Sequence, residues 1–155
     1  MYYSQLSEDE KIEVVTLLIN EFIYDLDLFQ LVELDEVLGT QGLLIETIIV
    51  DKRIVSLALY TIDTIENRKW TYIEYICTKA GYKNLGYATA LLNKLPQPIY
   101  LHVIKSEHSA KLLSWYTRNN FTILRETPSR RSYLLLNQEI IFNQEIEQPK
   151  GEWEL

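Results

Sequence analysis

A strand that runs into two glycines and then into a helix constrains this chain more than any other feature. Ile73-Glu74-Tyr75-Ile76-Cys77-Thr78 is apolar and aromatic apart from one glutamate. It leads through Gly81 and Gly86 to Tyr87, Ala88, Leu91, Leu92 and Leu95, which share one helical face. Pro96-Gln97-Pro98 stops that helix, because proline cannot continue one. Ile99 to Val103 then reads as a short strand, and Ser109 to Asn119 as an amphipathic helix with Leu112, Leu113 and Tyr116 on one stripe. Phe121 to Leu124 and Tyr133 to Leu136 are the last strands.

Upstream, Ser7-Glu8-Asp9-Glu10 reads as a capping box: the Ser7 hydroxyl accepts from the Glu10 amide while Glu10 reaches back. Ile12, Val15, Leu18, Ile19, Phe22, Ile23 and Leu26 follow at helical spacing, and a short helix is expected from about Gln30 to Leu38. Leu43 to Val50 and Ile54 to Ile62 are β-branched tracts joined by a turn at Asp51-Lys52-Arg53, which predicts a hairpin. Asn67-Arg68-Lys69 makes the next turn, and Trp70 to Thr78 is the third strand. Helices, then a meander, then strand–helix–strand–helix–strand make a mixed α+β sheet domain.

The 155 residues suit one domain, expected over 1–142, with a polar C-terminal tail over 143–155. No stretch matches the roughly 20 apolar residues of a membrane-spanning helix. The N-terminus lacks the basic start and apolar core of a signal peptide, so a soluble, cytoplasmic protein is expected. One cysteine, Cys77, precludes an intrachain disulfide; with only two histidines, it cannot build a thiolate zinc site, and no metal is expected. Charge is uneven. Residues 1–50 carry eleven acids and one base (−10), residues 51–142 seven acids and thirteen bases (+6), and the tail −3. This division fits either two ligands of opposite charge or a solvated acidic helix face. So much acid beside the basic stretch argues against a nucleic-acid binder.

A glycine at the mouth of a helix lets the backbone approach a ligand, and the first helical N–H groups, lacking intrahelical partners, form a phosphate site with the helix dipole. Two known phosphate loops do not fit: Tyr87-Ala88 follows Gly86 where a nucleotide P-loop needs Lys-Ser/Thr, and the dinucleotide fingerprint needs three glycines. Lys83-x-x-Gly86-x-Ala88 instead resembles the Gln/Arg-x-x-Gly-x-Gly/Ala signature of the Gcn5-related N-acetyltransferase (GNAT) superfamily. Lysine replaces the usual Gln or Arg and meets phosphate as a point charge without a fork. Ser109-x-x-Leu112-x-x-Trp115-Tyr116-x-x-x-Asn120-Phe121 is similar to that family's later helix; Asn120 stands for a helix-ending glycine, Ser109 for an asparagine and Leu112 for a small residue.

The resemblance implies a GNAT-like central, mostly antiparallel twisted sheet flanked by helices, the acyl-CoA N-acyltransferase fold. It implies an enzyme that moves an acetyl group from acetyl-CoA, its co-substrate, directly to an amine. Backbone groups of Ile76, Cys77 and Thr78 would pair with the pantetheine arm. The pyrophosphate would lie on the amides of Lys83, Asn84, Leu85, Gly86, Tyr87, Ala88 and Thr89, aided by the Thr89 hydroxyl, with Ser109 at a further cofactor position. Tyr116 occupies the family's general-acid position, and a core tyrosine is the competing role. Glu74, the one charge in its strand, is the candidate base, against a solvated, paired glutamate. His102 ranks below it and is read first as a structural histidine; His108 has no role, and Cys77 reads as a buried hydrophobe. The acceptor is expected to be a cationic small amine, polyamine- or aminoglycoside-like. The alternatives are a lysine-bearing or N-terminal protein substrate, or a non-catalytic CoA-binding or interaction module. No nucleic acid or membrane partner is expected, and a strand edge near the C-terminus would support a homodimer.

Overall fold

The computed structural model describes residues 1–21, 34, 36, 38–39 and 42–137. The expected helical positions Phe22, Ile23 and Leu26, most of the 30–38 helix and the 143–155 tail lie outside the described residues. The helices are α1 (Glu8–Glu21), α2 (Tyr87–Lys94) and α3 (Ser109–Arg118). The strands are β1 (Leu44–Val50), β2 (Arg53–Ile65), β3 (Arg68–Thr78), β4 (Ile99–Ile104), β5 (Thr122–Thr127) and β6 (Ser132–Leu136). They form one sheet in the order β1-β2-β3-β4-β6-β5. The pairs β1–β2, β4–β6 and β5–β6 are antiparallel, and β3–β4 is parallel. The chain divides into two compact units, Met1–Thr61 with Ile73–Leu95 and Ile62–Tyr72 with Pro96–Leu155.

In the first unit the capping box forms as read: the Glu10 amide donates to Ser7 Oγ at 3.2 Å and the Ser7 amide to Glu10 Oε1 at 3.0 Å. These bonds hold the Glu10 carboxyl below its usual range. The stripe that α1 buries is Val14, Leu17 and Leu18, with Val15 and Ile19 packed beside it. Ile12 departs from expectation and is 63% exposed; it sits two positions from Val14, about 200° around a helix, and so turns away from the buried stripe. The β1–β2 turn places Asp51 and Lys52 at φ 50° and 64°, the paired positive φ of a hairpin whose twist matches its strands. The next turn repeats that geometry at Glu66 and Asn67, φ 51° and 63°, so it comes earlier than Asn67-Arg68-Lys69 and β3 starts at Arg68.

In the second unit the β3–β4 ladder comprises Thr71–Ile99 and Tyr72–Tyr100. Tyr100, Leu134 and Leu136 pack with Trp70, Tyr72 and Ile65. Helix α3 ends as its asparagine predicts, with Asn120 at φ 70°. Its buried residue is Tyr116. Leu112, expected on the same stripe, is 44% exposed, because the packing of α3 is concentrated one turn later, where the Tyr116 ring meets Trp115 and Phe121 edge-on.

Candidate functional site

The strand–loop–helix lies wholly in the first unit. Gly81 and Gly86 take φ values of 92° and 87°, and Asn84 takes 63°. A Cβ built on Gly86 meets nothing within 4 Å, so the left-handed backbone, not crowding, is what calls for glycine there. Gly86 caps α2, and its carbonyl takes the first helical bond, from the Ala90 amide at 3.0 Å. The amides of Tyr87 and Ala88 precede that first helical bond, and the first turn holds no acidic residue to compete for them. Leu91 and Leu92 anchor the helix in the core.

Beside the loop, β3 presents its backbone in alternation. The Lys79 amide donates to the Val55 carbonyl at 2.7 Å, and the Cys77 carbonyl accepts from the Ser56 hydroxyl at 3.0 Å. Cys77 and Lys79 thus turn their main chain toward β2, and strand alternation turns that of Ile76 and Thr78 to the other edge. The Thr78 hydroxyl is 2.8 Å from that of Ser56. Burial, then Glu21, pushes the Cys77 thiol up to about 12, the behaviour of a packed, inert cysteine.

Lys83 is not idle. Its Nζ lies 2.5 Å from Glu21 Oε1, whose side chain is only 12% exposed. Glu13 is also engaged: its Oε2 accepts from the Ile54 amide at 2.9 Å and its Oε1 lies 3.1 Å from Arg53 Nε. With the Glu8–Lys11 pair and the Glu10 cap, most of the acids of α1 are neutralised within the protein. A cavity of about 210 Å³ lies along this helix, lined among others by Glu13, Asn20, Glu21, Arg53 and Lys79. No spacing rule in the sequence signalled the Glu21–Lys83 pair.

Glu74 is exposed on β3, and its charge adds to the burial that raises the Tyr75 phenol. The remaining candidates belong to the second unit. Tyr116 is 5% exposed, and burial pushes its phenol well above the usual range, so it keeps its proton. The Ser109 hydroxyl donates to the Ser106 carbonyl at 2.8 Å. His108 is exposed near Glu107. His102 lies with its Nδ1 3.0 Å from Tyr72 Oη. Burial, then Arg130 and Arg125, lowers its pKa to about 4, so the ring is neutral near pH 7. Tyr72 was not a sequence candidate; its pairing with His102 depends on the β3–β4 register, which spacing along the chain does not show.

No protein-family model matches the chain, and neither does any curated protein sequence. Solved structures do match. An acyl-CoA N-acyltransferase from Pseudomonas aeruginosa superposes with a TM-score of 0.65 at 15% identity, covering 89% of this chain and 96% of that one. Naa50 of Arabidopsis thaliana, solved with the bisubstrate analogue CoA-Ac-MVNAL, gives 0.59 at 16% identity over 86% and 95%. An aminoglycoside 6'-N-acetyltransferase complexed with coenzyme A gives 0.62 at 10% identity over 88% and 93%. The chain has the fold of the GNAT acetyltransferases. In that GNAT fold the residues expected to hold the cofactor form two sets, the loop and β3 in the first unit and Ser109 in the second. Among the described residues no group of His, Cys, Asp and Glu is arranged to hold a metal, and no helix is long and apolar enough to cross a membrane.

Proposed function

We propose that this protein is an acyl-CoA-dependent N-acetyltransferase acting on a primary amine. The observation that carries the reading is the loop: a left-handed Gly86 opening α2, with the Tyr87 and Ala88 amides ahead of the first helical bond, in a chain of GNAT fold. Lys83, Asn84, Leu85, Gly86, Tyr87, Ala88 and Thr89 would hold the diphosphate, and the outward main chain of Ile76 and Thr78 the pantetheine arm beside Cys77. Bound acetyl-CoA supplies an activated acetyl thioester. Tyr116, kept protonated by burial, donates its hydroxyl proton to the sulfur as the C–S bond breaks and the C–N bond forms. Glu74 accepts the proton that the amine sheds, and solvent exposure lets it exchange that proton with water.

A cationic acceptor fits the net charge of −10 over residues 1–50, eleven acids against one base. Release of thiol from acetyl-CoA across a panel of amines tests the proposal. Turnover should be fastest with spermidine-like amines, and that preference should weaken with added salt. Turnover confined to peptide lysines or N-termini would make it a protein acetyltransferase. Cofactor binding without turnover on any amine would leave a non-catalytic module.

A further inference from the structure

The second unit holds a polar cluster that the transferase chemistry does not use. Strand register builds it in two adjacent rows on one sheet face. His102 pairs with Leu134, and Leu134 with Arg125; one step along, Ile104 pairs with Ser132, and Ser132 with Thr127. Paired residues point to the same side, so His102, Arg125, Ser132 and Thr127 share that face. Three buried polar atoms there lack a hydrogen-bond partner among the described residues: His102 Nε2, Thr127 Oγ1 and Ser132 Oγ. Thr127 and Ser132 are 2% and 0% exposed. Buried polar atoms are nearly always satisfied, so three orphans on one face call for an absent partner.

Charge says what that partner is. Arg125 and Arg130 both bear on His102, and neither guanidinium is ion-paired among the described residues. The carboxylate of Asp63 accepts from Tyr100 Oη at 2.5 Å, and Glu126 pairs with Lys105 at 2.8 Å. Tyr72 faces His102 from β3 and occupies Nδ1. When Tyr72 donates to Nδ1, Nε2 carries the proton and becomes a donor beside two guanidinium groups. Ile104, at the end of the same face, is 67% exposed, so the row of side chains reaches the surface there.

We propose that this end of the sheet binds a small carboxylate-bearing ligand, held by Arg125, Arg130 and the Nε2–H of His102, with Thr127 and Ser132 donating behind them. A planar carboxylate matches guanidinium geometry in a way a chloride ion does not. The inference goes beyond the acetyltransfer reading and does not need it. Its readout is binding within one unit, so its failure leaves the coenzyme A proposal standing.

The test is a nitrogen-detected NMR titration of His102 in the full-length protein with sodium acetate, with sodium chloride at equal ionic strength and inorganic phosphate as separate arms. The expected result is a saturable acetate shift at Nε2 and a rise in the His102 titration midpoint of about one pH unit. Arg125→Gln and Arg130→Gln should each weaken the acetate response at least about fivefold. Arg125→Lys, which keeps the charge and removes the fork, covers the case in which the neutral variants fail to fold, and should weaken it less. Acetate acting no differently from chloride would overturn the proposal, as would a response to phosphate alone or an acetate response unchanged in the arginine variants.

Discussion

The glycine loop of the first unit and the His102 face of the second differ in what they are built from. The loop is made of main chain: three positive φ values and a run of helix-opening amides, with side chains in support. The His102 face is made of side chains brought together by strand register from β4, β5 and β6, with Arg130 from the β5–β6 connection, and it holds three orphan polar atoms. A main-chain site depends on local sequence and tolerates exchange of the residues around it. A register-built site depends on every strand in the ladder and disperses if one slips.

If the loop only binds and the chemistry lies at Tyr116, outside both regions, variants should separate affinity from rate. The largest expected effect is on chemistry: Tyr116→Phe should lower kcat by about 100-fold with little change in the affinity for coenzyme A. Steady-state kinetics beside calorimetry reads the two apart, and unchanged turnover would remove the acid role from Tyr116. Next is Gly86→Ala, which should weaken coenzyme A binding by about tenfold, because a left-handed conformation costs an L-residue roughly 1–2 kcal/mol. The same strain should lower stability by about 1–2 kcal/mol without unfolding the protein, since the added Cβ has open space and only the left-handed backbone resists it. A collapse of the fold in place of a loss of affinity would break the distinction.

The pH dependence sharpens the other side. His102 has a folded pKa of about 4, depressed from the ordinary 6.5 by burial and by Arg130 and Arg125. The unfolded chain therefore binds the proton first as pH falls. Stability from the neutral ring is complete above about 6.5 and is lost between there and about 4. For a half-buried ring screened by solvent, about 1–2 kcal/mol should disappear between pH 7 and pH 4. Urea denaturation of the wild type and His102→Gln at both pH values checks it: the variant should show a flatter profile. The smallest effect belongs to Glu21→Gln. It frees Lys83 from its ion pair and should tighten coenzyme A two- to threefold, a gain of about 0.5 kcal/mol. Lys83→Ala should act in the opposite direction.

What could be read from the sequence follows the same divide. The cap at Ser7, the glycine-opened helix, the stop at Pro96 and the left-handed Asn120 are local features, and each stands where the residues put it. Element order was enough to place the chain among mixed sheets. Register was not legible: nothing along the chain sets Arg125 beside His102 or Tyr72 against its ring. The Glu21–Lys83 pair was equally hidden, because it joins positions 62 apart. Two of the departures share one cause. Ile12 and Leu112 are apolar residues at helical spacing whose burial is decided by where each helix makes its contacts. The turn at Glu66–Asn67 was displaced for a different reason: a two-residue hairpin needs two consecutive positive φ values, and Asn67 supplies the tolerant second one.

The central claim is that main-chain amides at the Gly86 end of α2 grip a diphosphate. Isothermal titration of the intact protein with coenzyme A and with pantetheine, which lacks the diphosphate, tests it most directly. Micromolar binding of coenzyme A and at least about 100-fold weaker binding of pantetheine is the predicted result, since several charge-assisted hydrogen bonds are lost together. Equal affinities, or no uptake of coenzyme A at millimolar concentration, would contradict it.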